Sequence, residues 1–379
     1  MKTIFLVLSF CFASLVHAAE TQLLPPPPAP DVAARAFVLM DYQSGQVLQA
    51  QKPDERVEPA SLTKLMTAYV TFTALKQGRL KLGQTLPVSE KAWRTEGSRM
   101  FIKLNTQVAV ADLMKGMIVQ SGNDACITLA EGIAGSEEAF VVVMNHEAQR
   151  LGMSNTHFMN ATGLPHAQHY STARDLAVLA AALIRDFPEY YPLYSIKEFR
   201  YNNITQPNRN RLLWQDPFVD GMKTGHTESA GFCLITSAKR SEMRLISVVL
   251  GANSDNARTA ESQKLLNYGF QFYETYRLYQ KGQTIATLPV YKGSENSVKT
   301  GFTHDVFLSL PKGYYAHAKV TLTSRQPLLA PLIPGQAVGT ITVNVEGNPI
   351  VTLPLQSLEN VSVAGLFGRT WDSMKLWFK

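Results

Sequence analysis

The sequence predicts an α+β domain with a central antiparallel sheet and helices, followed by a small all-β domain and a C-terminal amphipathic helix. Strand-like segments stand at both ends of residues 31–280, and helical periodicity fills the middle. From 281 to 357 long helical patterns cease, and short apolar runs alternate with Gly, Pro and Asn. Over 358–379 large aromatic residues return at helical spacing. The chain has 379 residues, 45% of them hydrophobic and 17% charged, which suits two folded domains and rules out a disordered chain.

Residues 1–18 read as a signal peptide. Lys2 supplies the positive start, the apolar run 4–16 is too short to span a bilayer, and Val16-His17-Ala18 matches a small-residue cleavage site. The mature protein is therefore expected outside the cytoplasm. Residues 19–30, with prolines 25–28 and Pro30, form a stiff linker. Strands are expected at 36–41 and 46–50, around the turn residues Gln43-Ser44-Gly45. A helix should open at Ser61 or Leu62 and run to about 75, with further helices at 110–118, 124–133, 136–151 and 172–185. The apolar runs 218–223, 231–238 and 243–250 read as buried strands, and 257–276 as the closing helix of the first domain. In the second domain strands are expected at 285–291, 305–310, 319–323, 337–345 and 349–353.

In the last segment Phe367, Trp371, Met374 and Phe378 share one face, with Trp377 beside them and Arg369, Asp372, Lys375 and Lys379 interspersed. That composition predicts a helix lying in a membrane interface, not one crossing it. The formal charge of +6 falls to +5 without Lys2 and is not clustered, so nucleic-acid binding is not expected and an anionic envelope partner is mildly favoured. Once residues 1–18 are removed only Cys126 and Cys233 remain. They are read as buried thiols, and no metal-ligand spacing or cofactor motif is present.

Three short motifs occur in order: Ser61-Leu62-Thr63-Lys64 opening a helix, Ser121-Gly122-Asn123 before another, and Lys223-Thr224-Gly225 at the end of a strand. They match the S-x-x-K, S-x-N and K-T-G set of penicillin-recognising enzymes. At a helix start residues i and i+3 share a face, so Lys64 can reach the Ser61 hydroxyl. A serine needs a base to become a nucleophile, and a lysine can act as one if burial or a neighbouring cation, here Lys223, lowers its pKa. Each motif also occurs a second time, as Ser309-Leu310-Pro311-Lys312, Ser254-Asp255-Asn256 and Lys299-Thr300-Gly301. Pro311 disfavours a helix carrying Ser309 and Lys312, and the other two stand out of order.

The stretches Glu58-Pro-Ala-Ser-Leu-Thr-Lys-Leu-Met-Thr67, Gln120-Ser-Gly-Asn-Asp-Ala-Cys126, Asp220-Gly-Met-Lys-Thr-Gly-His-Thr227 and Met243-Arg-Leu-Ile-Ser-Val-Val-Leu250 resemble the low-molecular-mass penicillin-binding proteins, the serine-type D-alanyl-D-alanine carboxypeptidases of Gram-negative bacteria. The resemblance covers the whole mature chain, including the β domain and the tail. It implies a β-lactamase/transpeptidase-like first domain that removes the terminal D-Ala from peptidoglycan pentapeptide stems and is acylated by β-lactam antibiotics. It implies Ser61 as nucleophile, Lys64 as base, Ser121 as proton relay and Asn123 as the group holding the substrate amide. Lys223 and Thr224 would receive the terminal carboxylate. The N–H groups of Ser61 and of the residue after Gly225, His226, would form the oxyanion hole. Arg209 and Arg258 match family arginines near the site, and Thr162 stands where relatives often carry His. It also implies a periplasmic enzyme held peripherally on the outer face of the inner membrane by its C-terminal helix.

A β-lactamase would share the motifs but needs a deacylating carboxylate, and residues 162–174 hold no Glu. A silent sensor of cell-wall peptides is disfavoured by the intact Ser61, Lys64, Ser121 and Lys223.

Overall fold

The structure is a computed structural model and describes residues 25–377. The expected signal peptide, the first part of the linker, Phe378 and Lys379 lie outside the described residues. In the first domain five strands, Ala36–Asp41 (β1), Val47–Gln51 (β2), Val219–Thr227 (β3), Gly231–Arg240 (β4) and Met243–Ala252 (β5), form a sheet of order β2-β1-β5-β4-β3. Every neighbouring pair is antiparallel.

Side chains alternate across a strand, so β1 divides its apolar residues between two cores. Ala36, Val38 and Met40 join one core with the helices Lys64–Lys76 (α1), Val110–Val119 (α2), Asn123–Ala134 (α3), Glu137–Arg150 (α4) and Ala173–Asp186 (α5). Phe37 and Leu39 face the other core with Leu265 and Leu266 of the helix Asp255–Phe272 (α6). Both faces are covered, which is why all six residues of β1 are buried.

The sequence predicts α6 to run to 276, but it stops at Phe272. Tyr273–Tyr279 (β6) instead pairs with Val306–Pro311 of the second domain. The alternating aromatic and Thr residues of this segment suit a pleated surface as well as they suit a helical stripe, and the tertiary partner decides. The change of architecture thus falls at Phe272/Tyr273, not near 280.

In order, the second domain continues with Ala286–Tyr291 (β7), Ser297–Gly301 (β8), Val306–Pro311 (β9), Ala318–Ser324 (β10), Leu328–Leu329 (β11), Ala337–Val345 (β12) and Asn348–Ser357 (β13). Six of these form a sheet of order β10-β12-β13-β8-β7-β11, and β6 pairs with β9. Residues 358–365, expected to be helical, extend the β domain: Val361 is buried and bridges Leu332, and Val363 bridges Gly293. The helix itself is Leu366–Trp377 (α7).

Candidate active site

The chain enters α1 through a single 3-10 turn, Ala60–Thr63, so Lys64 is the first residue of the α-helix and Ser61 lies one turn before it. Two glycines let other segments close on this turn. A Cβ on Gly225 of β3 would come within 3.0 Å of Pro59 O, and one on Gly163 within 1.8 Å of Ala60 O. Gly163 also holds φ at +86°, a region glycine enters freely. Backbone contact therefore seats β3 on one side of Ser61 and the 160–163 loop on the other.

Lys64 is fully buried, with Nζ 2.9 Å from Ser61 Oγ. It donates a second hydrogen bond, 2.6 Å, to the carbonyl oxygen of Thr162. Burial brings its pKa from the usual 10.5 to about 8; the charged neighbour that pushes it further down is Arg209, while Cys126 and Asp124 act in the opposite direction. A neutral amine with one N–H fixed on Thr162 O turns its lone pair to the Ser61 hydroxyl, which can then donate to nitrogen.

Ser121 joins α2 to α3 with φ +63°, an uncommon conformation for a residue with a side chain. Its Oγ accepts from Lys223 Nζ at 2.9 Å, and Lys223 also donates to Thr224 O at 3.0 Å. Lys223 is buried, and burial, then the charges of Lys64 and Arg209, hold its amine well below the usual lysine value. The expectation that Lys223 depresses Lys64 therefore changes: the cation that pushes Lys64 down is Arg209, and Lys64 in turn pushes Lys223 down. Asn123 donates Nδ2 to Glu96 O at 2.6 Å, and its buried Oδ1 has no hydrogen-bond partner among the described residues.

Above these groups lies a cleft of about 680 Å³, lined among others by Ser61, Ser121, Arg209, Thr224 and His226. Arg209 is exposed there and pairs with no carboxylate among the described residues. Arg258 is different. It is buried, donates to Gly225 O at 3.1 Å and Cys233 O at 3.2 Å, and pairs with Asp255, so it braces the end of β3 from below. His226 is exposed at the cleft edge, its ring 4.0 Å from that of Phe232.

Sequence reasoning missed three supports. The Thr162 carbonyl is a backbone group and carries no side-chain signal. Asp124, buried beside the S-x-N motif, accepts from Met100 N and Phe101 N at 2.9 Å each and so fixes the loop that carries Gly97 and Ser98 into the cleft. Gly163 is visible only as one glycine among many. Cys126 is fully buried, and burial pushes its thiol up to about 12, so it stays protonated. Of the second motif set, Ser254 caps α6 by accepting from Ala257 N, Thr300 is buried in β8, and Ser309 bonds Ser44 and Thr275 at the domain junction.

A family model described as D-alanyl-D-alanine carboxypeptidase matches residues 23–254, and one described as the C-terminal domain of penicillin-binding protein 5 matches 273–363. The chain is 47% identical over 377 residues to the D-alanyl-D-alanine carboxypeptidase DacC of Escherichia coli K12, covering 97% of this chain and 93% of the relative. It is 46% identical over 356 residues to the DacA enzyme of Haemophilus influenzae, covering 92% and 91%. Among solved structures, penicillin binding protein 5 from Haemophilus influenzae superposes with a TM-score of 0.84 at 45% identity, covering 90% of this chain and 99% of that one. The ampicillin-bound penicillin-binding protein D2 of Listeria monocytogenes gives 0.59 at 32% identity, covering 64% and 99%.

Proposed function

The chain belongs to the D-alanyl-D-alanine carboxypeptidase family of penicillin-binding proteins and acts on peptidoglycan; from that premise we propose that Ser61 is its acylated nucleophile and Lys64 the base. The single observation that carries this assignment is Lys64 Nζ, buried and lowered to about 8, at 2.9 Å from Ser61 Oγ. Ser61 Oγ attacks the carbonyl carbon of the penultimate D-Ala while its proton passes to Lys64. The N–H groups of Ser61 and His226 take the developing oxyanion. On collapse, the proton on Lys64 passes through Ser121 Oγ to the leaving nitrogen of the terminal D-Ala, which leaves Lys64 neutral again. The Lys223 amine donates to Ser121 Oγ and holds that hydroxyl in place. Water then attacks the acyl carbon, Lys64 takes its proton and returns it to Ser61 Oγ as the ester bond breaks, and the free enzyme is restored. The unpartnered Oδ1 of Asn123 is suited to the N–H of the acyl residue.

Carboxylate recognition falls to Arg209 and Thr224. Lys223 is buried and engaged with Ser121 Oγ, whereas Arg209 is exposed in the cleft and has no carboxylate partner among the described residues. Arg258 is a positioning residue for Gly225 and His226.

We further propose that the protein works in the periplasm, attached to the outer face of the inner membrane by α7. Leu366, Phe367, Trp371 and Trp377 are more than half exposed, while Asp372 ties the helix to the β domain by accepting from Lys292 N. No helix among the described residues is long and apolar enough to cross a membrane.

The deciding experiment is intact-protein and peptide mass spectrometry after reaction with penicillin. The adduct is expected on Ser61 and absent from Ser61→Ala. An adduct on Ser309 would overturn the motif assignment.

A further inference from the structure

One edge of the β-domain sheet ends in an uncharged segment. From 326 to 345 the sequence holds no charged residue. Residues 327–334 within it read Pro-Leu-Leu-Ala-Pro-Leu-Ile-Pro and form β11 and the loop that leaves it. Leu328 and Leu332 enter the β-domain core. The residue after each turns outward: Leu329 is 46% exposed and Ile333 60%. Pro327, Pro331 and Pro334 are exposed beside them. The two core leucines hold the segment, so the outward pair is displayed on a fixed base.

The backbone of this loop is satisfied without water. Its prolines have no N–H. Leu328 and Leu329 lie in the parallel ladder with β7. Ala330 N donates to Tyr291 O at 3.0 Å, Leu332 N to Val361 O at 2.9 Å, Gly335 N to Ser357 O at 2.9 Å and Gln336 N to Ile333 O at 3.1 Å, while Ile333 N donates to Gln336 Oε1 at 3.1 Å. In an ordinary surface loop water serves such groups; a loop that enters an apolar phase has to pair them internally.

The loop adjoins α7, and three consecutive residues at the end of β7 tie the two together. Tyr291 O takes Ala330 N of the loop. Lys292 O takes Ala364 N at 2.8 Å, and Lys292 N donates to Asp372 of α7 at 2.6 Å. Gly293 bridges Val363, which is itself exposed. Apolar exposure thus runs from α7 through Val363 to Leu329 and Ile333.

We infer that residues 327–334 form a second lipid-contacting element, with Leu329 and Ile333 entering the boundary between headgroups and acyl chains beside α7. The inference rests on the membrane role proposed above for α7. The missing charge and the closed backbone select a lipid surface over a protein partner, because protein interfaces carry a polar rim and hydrogen bonds across it. Two side chains are too few to hold the protein without α7. Their effect is on orientation. A lone interfacial helix leaves the attached body free to roll about the helix axis, and a second contact at the sheet edge stops that roll and sets the direction in which the cleft faces.

The test uses the full-length protein. Cys126 and Cys233 are buried, so one added cysteine can carry an environment-sensitive nitrobenzoxadiazole label. The label is placed in turn at Ile333→Cys, Phe367→Cys and Thr321→Cys, and each protein is mixed with phosphatidylethanolamine/phosphatidylglycerol vesicles. Thr321 lies on β10, the opposite edge of the six-stranded sheet from β11, about 24 Å away at roughly 4.8 Å per strand. Labels at 333 and 367 should brighten severalfold and be quenched by doxyl-labelled acyl chains, and the label at 321 should not. The double variant Leu329→Glu/Ile333→Glu should partition onto vesicles about tenfold more weakly, with penicillin acylation unchanged, whereas Thr321→Glu should partition as wild type. Quenching at 367 without quenching at 333 overturns the loop contact and leaves the α7 anchor standing. Quenching at neither position overturns the anchor and the loop contact together. A response at 333 that follows protein concentration without vesicles makes the patch an interface between copies and overturns the lipid assignment, as does wild-type partition of the double variant.

Discussion

Burial decides what Lys64 can do. A lysine in water holds its proton up to about pH 10.4 and is no base near neutrality. Here the amine is enclosed between α1 and the 160–163 loop and faces Arg209, so its pKa lies at about 8. The base form is the neutral one, so the acylation rate should rise with pH through about 8, read as penicillin adduct formed per unit time. Lys64→Arg should lose nearly all of that rate, because a guanidinium cannot accept the proton. A normal rate in Lys64→Arg would remove lysine from the mechanism. The same shift bears on stability. The unfolded chain binds the proton up to about 10.5 and the folded one only to about 8, so stability rises with pH across that window and the full burden is felt below 8. That burden corresponds to about 3 kcal/mol. The pairing of Ser61 with Lys64 was legible from their i, i+3 spacing. Arg209 and Arg258 were not separable in sequence, since only burial and partners distinguish a free cation in a cleft from a guanidinium bracing a strand.

At the level of elements, the site is assembled where a 3-10 turn, the α2–α3 junction, the end of β3 and the 160–163 loop meet. Three of these carry a motif and were legible. The loop contributes a carbonyl oxygen and a glycine, and neither leaves a pattern in the sequence. Gly163 is the test of its importance. In Gly163→Ala the new Cβ would overlap Ala60 O, and the residue would also have to hold φ +86°. The loop must retreat, and Thr162 O should leave Lys64. We expect a stability loss of about 1–3 kcal/mol in denaturant titration. We also expect acylation slowed by at least tenfold at pH 7, with the apparent pKa displaced. Wild-type acylation in a folded Gly163→Ala protein would take the loop out of base alignment. The end of α6 teaches a related lesson: residues 273–276 fit a helical stripe and a strand alike, and the hydrogen bonds offered by β9 settle the matter.

For the molecule as a whole, the β domain separates the catalytic cleft from α7. The two domains meet through a polar contact in which Ser309 bonds Ser44 and Thr275 and its backbone N–H donates to Gln46. The exposed large apolar side chains of α7, Leu366, Phe367, Trp371, Met374 and Trp377, would each contribute about 1.5–3 kcal/mol at most when buried in an interface. Four or five of them outweigh the cost of tethering without any salt-sensitive term, so detergent but not salt should release the full-length protein from inner-membrane vesicles. Because Val361 is part of the β-domain core, the informative truncation removes 366–379 and keeps 358–365. That truncated protein should be soluble and cleave short peptides at the wild-type rate. Continued sedimentation with vesicles would show that another surface holds the enzyme.

The sequence by itself determined the chemistry of this protein and the class of its fold. Helical spacing places Ser61 under Lys64, and the order of three motifs sets the proposed catalytic set apart from three look-alikes. Apolar alternation marks the strands of the central sheet. These features are local, written within about ten residues, and so survive translation from sequence to structure. Only the tertiary structure decided which cation lowers Lys64, which arginine is free, where α6 yields to β6, and which carbonyl Lys64 bonds. Each of those depends on burial or on a partner distant in the chain. Desolvation and close packing are properties of the assembled space around a residue, and no neighbour in sequence specifies them.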